Sequence, residues 1–267
     1  MDYKELLNIL GSKIEMRKFL SNGRKIDRTR TQSFLSKEYN GIEKLENLEN
    51  YLKFYNTFLV KKLIRFGELD KPNKRVLDFG AGLGGIAKEI YKYSGTKPYC
   101  AEIDPKMCRK IEESGFTLID ISNFDKPFDF IYSSNVLEHI EQDIKTLIEL
   151  REALTEEGKL VIYVPAFMIL YSEFDSSIGH FRRYRKKDLI SKVSAASLKV
   201  EEIYYVDSIG FFVALISKIL ISITGYDTFS KPSLLFYDRV IFPLSRFLDI
   251  AGLKYLFGKN LLVVLRR

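Results

Sequence analysis

The chain has 267 residues, 46% of them apolar and 13% aromatic, enough for a sizeable core, which excludes disorder as its main state. Lys and Arg outnumber Asp and Glu by 42 to 35, and the resulting charge of +7 admits anionic partners such as nucleic acid, phosphorylated metabolites or a membrane surface without choosing among them. Two cysteines, Cys100 and Cys108, match no zinc spacing, so a disulfide scaffold is excluded and both read as reduced thiols of a cytoplasmic protein.

In chain order, the opening segment MDYKELLNIL mixes acids with apolar residues and has no signal-peptide pattern. Residues 1–70 read as an N-terminal helical extension. Within it Arg17, Lys18, Arg24, Lys25, Arg28 and Arg30 surround Asn22-Gly23, a solvated loop or a binding arm. From Leu45 to Phe66, Leu45, Leu48, Leu52, Tyr55, Leu59 and Leu63 recur at spacings of three and four, one apolar stripe on a helical stretch. Residues 71–267 change texture. Short apolar runs RVLDFG, KPYCAEID, FTLIDI, FDFIYSSN and KLVIYVPA alternate with helical stretches such as Ile140 to Leu154, the pattern of βα units on a parallel sheet, and Gly158 reads as the stop after that helix. A polar and aromatic loop (165–187) follows, then a helix from Lys187 and two strand-like runs, KVEEIYYVD and NLLVVLRR, suited to antiparallel pairing. Between those runs, residues 208–259 form an apolar insertion broken at Gly225, Pro232, Pro243 and Gly252. Its stretch Ile209 to Thr224 is interrupted by Lys218 and falls short of the roughly 20 residues of a bilayer span, so a buried helix or peripheral membrane contact through 209–223 is expected.

The strongest local signal is VLDFGAGLGG, residues 76–85, a strand ending in a glycine turn that opens a helix. Gly80, Gly82 and Gly85 also satisfy the dinucleotide spacing, but Asp78 would face a pyrophosphate unfavourably and would welcome an ammonium. S-adenosyl-L-methionine carries such an ammonium, a carboxylate suited to a helix N-terminus, and no phosphate. Glu102 and Asp104 share one face at the end of the next strand. Asp104 precedes Pro105 as a helix cap does, which leaves Glu102 for the ribose hydroxyls. Asp120 closes the third strand, where a carboxylate can accept from an adenine amino group.

Through VLDFGAGLGG, CAEIDPKM, LIDI and FDFIYSSNVLEHI in this order, the chain resembles the class I S-adenosylmethionine-dependent methyltransferases from Arg75 to about Val164. The resemblance implies a doubly wound, seven-stranded, mostly parallel α/β sheet, Rossmann-like, with N-terminal helices and a helical insertion before the last strand. It carries the cofactor loop onto Gly80, Gly82 and Gly84, the ribose acid onto Glu102 where the family often has Asp, the adenine contact onto Asp120 and Ile121, and a place near the sulfonium onto Asn135. Through Tyr51, His180, Arg182, Arg183 and Tyr184 it further resembles stand-alone methyltransferases of glycans, lipid-linked molecules and other small molecules.

Methyl transfer needs an aligned acceptor and a dry site, and a base only for a hydroxyl acceptor. His139 and His180 both fall beside the expected pocket; His180 is the candidate for the substrate proton and His139 for orienting the fourth-strand turn. Arg182 and Arg183 suit a phosphate or carboxylate, against the plain reading of a solvated basic face, and Tyr184 and Tyr51 complete the acceptor side. Loop 165–187 and insertion 208–259, with Phe211, Phe212 and Leu215, are expected to close over the acceptor as a lid. The expectation is a methyltransferase acting on a small-molecule, glycan or lipid-linked acceptor at a hydroxyl oxygen. Nucleic acid is disfavoured because Ser133-Ser134-Asn135-Val136 lacks a Pro-Pro-aromatic clamp and neither cysteine follows a proline; RNA through the basic N-terminal run and a non-catalytic cofactor-binding scaffold are the alternatives.

Overall fold

The structure, a computed structural model, describes residues 42–121, 126–224 and 230–267. The basic N-terminal run and the rest of residues 1–41 lie outside the described residues. Seven strands form one sheet in the order β3-β2-β1-β4-β5-β7-β6. They are β1 (Val76–Phe79), β2 (Tyr99–Ala101), β3 (Thr117–Leu118), β4 (Phe128–Ser134), β5 (Leu154–Pro165), β6 (Lys199–Val206) and β7 (Asn260–Arg266). The pairs from β3 through β5 are parallel, whereas β7 runs antiparallel between β5 and β6.

Alternation along the strands divides the core into two layers, as the period of two requires. Leu77, Ile131, Leu160, Ile162, Val263 and Leu265 face helices α5 (Asp143–Glu152) and α7 (Lys186–Ala195). On the other side Val76, Phe130, Tyr132, Val161, Tyr163 and Val264 meet the stripe of α2 (Lys53–Gly67), where Leu59, Val60, Leu63 and Phe66 are buried. Each such side chain contributes roughly 1.5–3 kcal/mol by leaving water. Helices α3 (Gly85–Ser94) and α4 (Pro105–Glu113) complete the first βα units.

Two local expectations change. The apolar stripe from Leu45 onward is two helices, α1 (Ile42–Tyr51) and α2, broken at Leu52. The cause is distant in sequence: Asp238 accepts from the N–H groups of Phe54 and Tyr55, both at 2.9 Å, and so starts a new helix. Gly158 is not a helix stop. It lies inside β5, where pairing with β4 shifts register between Phe128 and Phe130, and a Cβ there would stand 3.0 Å from the carbonyls of Phe128 and Thr155. Close backbone approach accounts for it, and α5 ends at Ala153.

The insertion is helical: α8 (Ser208–Thr224), then α9 (Lys231–Phe236) continuing through a π-turn at Tyr237–Ile241 into α10 (Phe242–Ile250). Buried Asp249 starts α8 by accepting from the N–H of Asp207 and of Ser208, and Arg246 balances its charge. No helix among the described residues is long and apolar enough to cross a membrane.

Candidate active site

The C-terminal ends of β1, β2 and β4 frame one crevice. At its centre the glycine loop turns through left-handed residues Gly80, Gly82 and Gly84, with φ of 77°, 57° and 76°. At Gly80 a Cβ would also meet the Val136 side chain at 2.3 Å, so the loop and the turn after β4 pack at a distance that only glycine allows. The N–H groups of Gly80 and Ala81 donate to the Ala101 carbonyl, tying the loop to the end of β2.

Asp78 lies 2% exposed on β1, flanked in the sheet by Cys100 and Tyr132. Burial pushes its carboxyl up to about 8, opposed by the Tyr132 hydroxyl and reinforced by the charges of Glu102 and Glu49. Its Oδ2 has no hydrogen-bond partner among the described residues. A buried carboxyl with one oxygen left unpartnered beside a glycine loop fits the ammonium of an S-adenosylmethionine methionyl group.

Glu102 holds this crevice together. One oxygen accepts from Gly82 N–H at 2.8 Å, and the other from Ile103 and Asp104 N–H at 2.7 and 3.0 Å. Asp104 caps α4, accepting from Lys106 and Met107 N–H as its place before Pro105 predicts. Asp120 is exposed beyond β3, and Ile121 packs against the core beside it. Asn135 is an exposed left-handed residue, φ 53°, at the mouth of β4. These residues line the candidate cofactor side, where S-adenosylmethionine would be held by Asp78, Glu102 and the glycine loop.

Sequence reasoning missed Glu49. From α1 its carboxylate accepts from Gly85 N–H at the first turn of α3, and burial raises its pKa. An anion of the protein itself thus stands where the helix N-terminus favours one. Nothing in the apolar stripe of α1 signals it. A buried network was also missed: the Tyr55 and Tyr163 hydroxyls are 2.5 Å apart, Asn260 donates to Tyr55, and Tyr237 donates to Asp207. Lys259 is half-buried nearby, desolvation lowers its pKa, and its ammonium lies 3.5 Å from the Tyr237 hydroxyl.

The acceptor-side expectations separate. Arg182 and Tyr184 do not present free groups to a substrate. Arg182 binds Asp143 at 2.6 Å and the Glu141 carbonyl, and the Tyr184 hydroxyl, 1% exposed, donates to Asp143 and the Leu137 carbonyl. Arg183 grips Asp175 with two parallel bonds of 2.9 Å, its side chain 10% exposed. Both guanidinium groups neutralise buried carboxylates, so neither is a solvated face nor a ready phosphate fork. Tyr51 ends α1 half-buried under the Lys231 ammonium, 5.3 Å from the ring centre.

The histidines do come together. Their rings cross edge to face with centroids 4.5 Å apart. His180 Nδ1 lies 2.8 Å from Asp175, and its Nε2 lies 3.7 Å from Glu138, a carboxylate with no exposed surface. Burial and the adjacent His180 push His139 down to about 4, so it is neutral at physiological pH. Burial pushes Glu138 up to about 8. Loop and insertion also meet: Phe167 stacks on Tyr205 and crosses Phe211 edge to face, and Lys218 donates to the Ile169 carbonyl.

Residues 51–201, more than half of the chain, match the family described as methyltransferase domain. A curated relative, phosphoethanolamine N-methyltransferase 2 of Caenorhabditis elegans, is 27% identical over 115 residues; the match covers 39% of this chain and 26% of that longer protein. The fold is shared with an S-adenosylmethionine-dependent methyltransferase of Archaeoglobus fulgidus, at 20% identity, TM-score 0.50, over 79% of this chain and 94% of that one. It is shared also with coclaurine N-methyltransferase bound to N-methylheliamine and S-adenosylhomocysteine, at 13% identity, TM-score 0.51, over 79% and 70%. The orphaned Asp78, the glycine loop pinned to Glu102 and the match over residues 51–201 agree, and the chain belongs to the class I S-adenosylmethionine-dependent methyltransferase family.

Proposed function

We propose that the chain methylates a hydroxyl oxygen of a small-molecule, glycan or lipid-linked acceptor. When bound, S-adenosylmethionine supplies an electrophilic methyl group, and the protein orients the acceptor and removes its proton. The observation that carries the reading is the His180–Asp175 pair at 2.8 Å. A carboxylate on Nδ1 fixes the tautomer and directs Nε2 as the proton acceptor, with the neutral His139 ring packed against it. The pair is close to the cofactor crevice because His139 follows Val136, the residue packed on Gly80, by one short turn.

The lipid-linked acceptor within this class is favoured by the insertion. Phe212, Ile216, Ile219 and Leu220 on α8 are exposed, as are Phe236, Val240, Leu244 and Phe247 along α9 to α10, both sets at helical spacing. Such stripes suit an acyl or prenyl chain, or a membrane surface presenting one. A second reading, an amine acceptor, is favoured by the N-methyltransferase names of the curated relative and of one structural neighbour. An amine attacks through its own lone pair and requires no base from the protein.

Incubation of the full chain with carbon-13 methyl-labelled cofactor and an extract of its own cells tests the proposal. Label in the organic or aqueous fraction with the chemical shift of a methyl ether is expected. Label on nitrogen would replace the hydroxyl reading with the amine one, and label in nucleic acid would overturn both.

A further inference from the structure

The turn after β4 and the loop after the short helix α6 (Glu173–Ser177) bring Glu138, His139 and His180 together, with one donor atom from each inside a circle of 4.8 Å. Three details separate this group from an ordinary buried ion pair. Glu138 has no exposed surface and neither of its oxygens has a hydrogen-bond partner among the described residues, an arrangement that calls for a partner from outside them. Its Oε1 stands 3.7 Å from His180 Nε2, beyond hydrogen-bond reach. That spacing is close to the roughly 3.4 Å between two donors on a tetrahedral ion with bonds of about 2.0–2.1 Å. Finally, His180 already gives Nδ1 to Asp175, which Arg183 in turn holds with two bonds. A carboxylate behind one ring nitrogen, leaving the other as a lone pair directed at a second carboxylate, is the outer support found around metal-bound imidazoles.

We propose that Glu138, His139 and His180 bind a divalent first-row transition cation, with zinc as its best chemical match, on the acceptor side of the crevice. Two imidazoles and one carboxylate suit that class of ion and leave a fourth position open. For the acceptor, this rests on the hydroxyl reading and replaces His180's part in it: with Nε2 given to the cation, an alcohol or phenol oxygen in the open position would have its pKa lowered and would release its proton to solvent in place of the imidazole. Cation binding itself does not depend on that reading.

Cobalt(II) titration of the chelator-treated full chain, followed by visible absorption and by displacement with zinc, gives a readout independent of turnover. One equivalent of cobalt with the intense bands of a tetrahedral site, bleached by zinc, is expected. Glu138→Gln, which keeps the shape and removes the charge, should weaken zinc at least 100-fold while near-ultraviolet circular dichroism stays that of the wild type. Asp175→Asn should weaken it 10- to 100-fold through the imidazole it supports. If the wild type shows no such bands, or binds zinc no more tightly than the folded Glu138→Gln variant, the group is a structural contact of His180 with two acids and the proposal fails. Methyl ether formation that survives complete chelation would remove the cation's role on the acceptor and leave the hydroxyl reading standing. Zinc binding without any ether product would leave the cation site standing and remove both the hydroxyl reading and the cation's role on the acceptor.

Discussion

Replacing Asp78 by Asn tests the cofactor pocket through a single charge. The substitution preserves shape, and the carboxyl it removes is buried with one oxygen unpartnered. Moving this group from 3.8 to about 8 disfavours its ionised form by at most roughly 6 kcal/mol. Because the folded value lies above the unfolded one, the ligand-free folded chain holds the proton more tightly than the unfolded chain does. The contribution of Asp78 to stability is therefore fully present below pH about 4 and declines as pH rises toward about 8. Denaturant titrations at pH about 5 and about 9 should show the wild type losing several kcal/mol relative to Asp78→Asn. An ammonium ligand reverses the preference, since it requires the carboxylate. At pH about 7, binding of S-adenosylhomocysteine to the wild type should release up to one proton, visible as a calorimetric heat that depends on the buffer. The Asn variant should bind it about 10- to 100-fold more weakly, the equivalent of about 1.5–3 kcal/mol for a charged hydrogen bond, with no proton release. A stability gap that ignores pH, together with unchanged affinity, would refute the assignment of Asp78 to the ammonium.

Four further substitutions have outcomes set by groups elsewhere in the structure. Glu102→Ala removes the acceptor for Gly82, Ile103 and Asp104 N–H and should weaken S-adenosylhomocysteine by about 2 kcal/mol or more in calorimetry, whereas Asp104→Ala should cost about 1 kcal/mol of stability as a lost cap and leave affinity nearly intact. Glu49→Ala vacates the N-terminus of α3 and should tighten the cofactor several-fold; weaker binding would show that Glu49 supports the pocket instead of competing for it. For Asp143, burial works against ionisation, but hydrogen bonds from Lys192, Arg182 and Tyr184 outweigh it and hold the carboxyl below its usual range. Its stabilisation is thus present above the unfolded value near 3.8 and is lost as pH falls through the depressed folded value, so the denaturant midpoint of Asp143→Asn should fall less on acidification than that of the wild type.

The cofactor half of the site was readable from sequence because its signals are local. A strand, a glycine turn and a helix start occupy ten consecutive residues, and Asp104 before Pro105 announces its own cap. Strand periodicity likewise announced a mostly parallel sheet and the antiparallel pairing of β6 with β7. The acceptor half was only partly readable. The run HFRRY advertises positive charge, but the sequence does not say that Arg182 turns to Asp143 and Arg183 to Asp175, since each carboxylate must be brought beside its arginine by the fold.

Chain-local physics by itself determined the sheet, the glycine loop, the capped helix after β2 and the family to which they belong, since each depends on residues within a few positions of one another. Tertiary structure alone decided where the long-range charges go. It made Asp238 divide the helical stretch that carries one apolar stripe, from a position 184 residues away. It placed Glu49 at the N-terminus of α3, and it brought Glu138, His139 and His180 together while turning the Tyr184 hydroxyl onto Asp143. The reason is that a buried charge must find its partner wherever the packed elements bring one, and burial itself exists only after the sheet and its helices have closed.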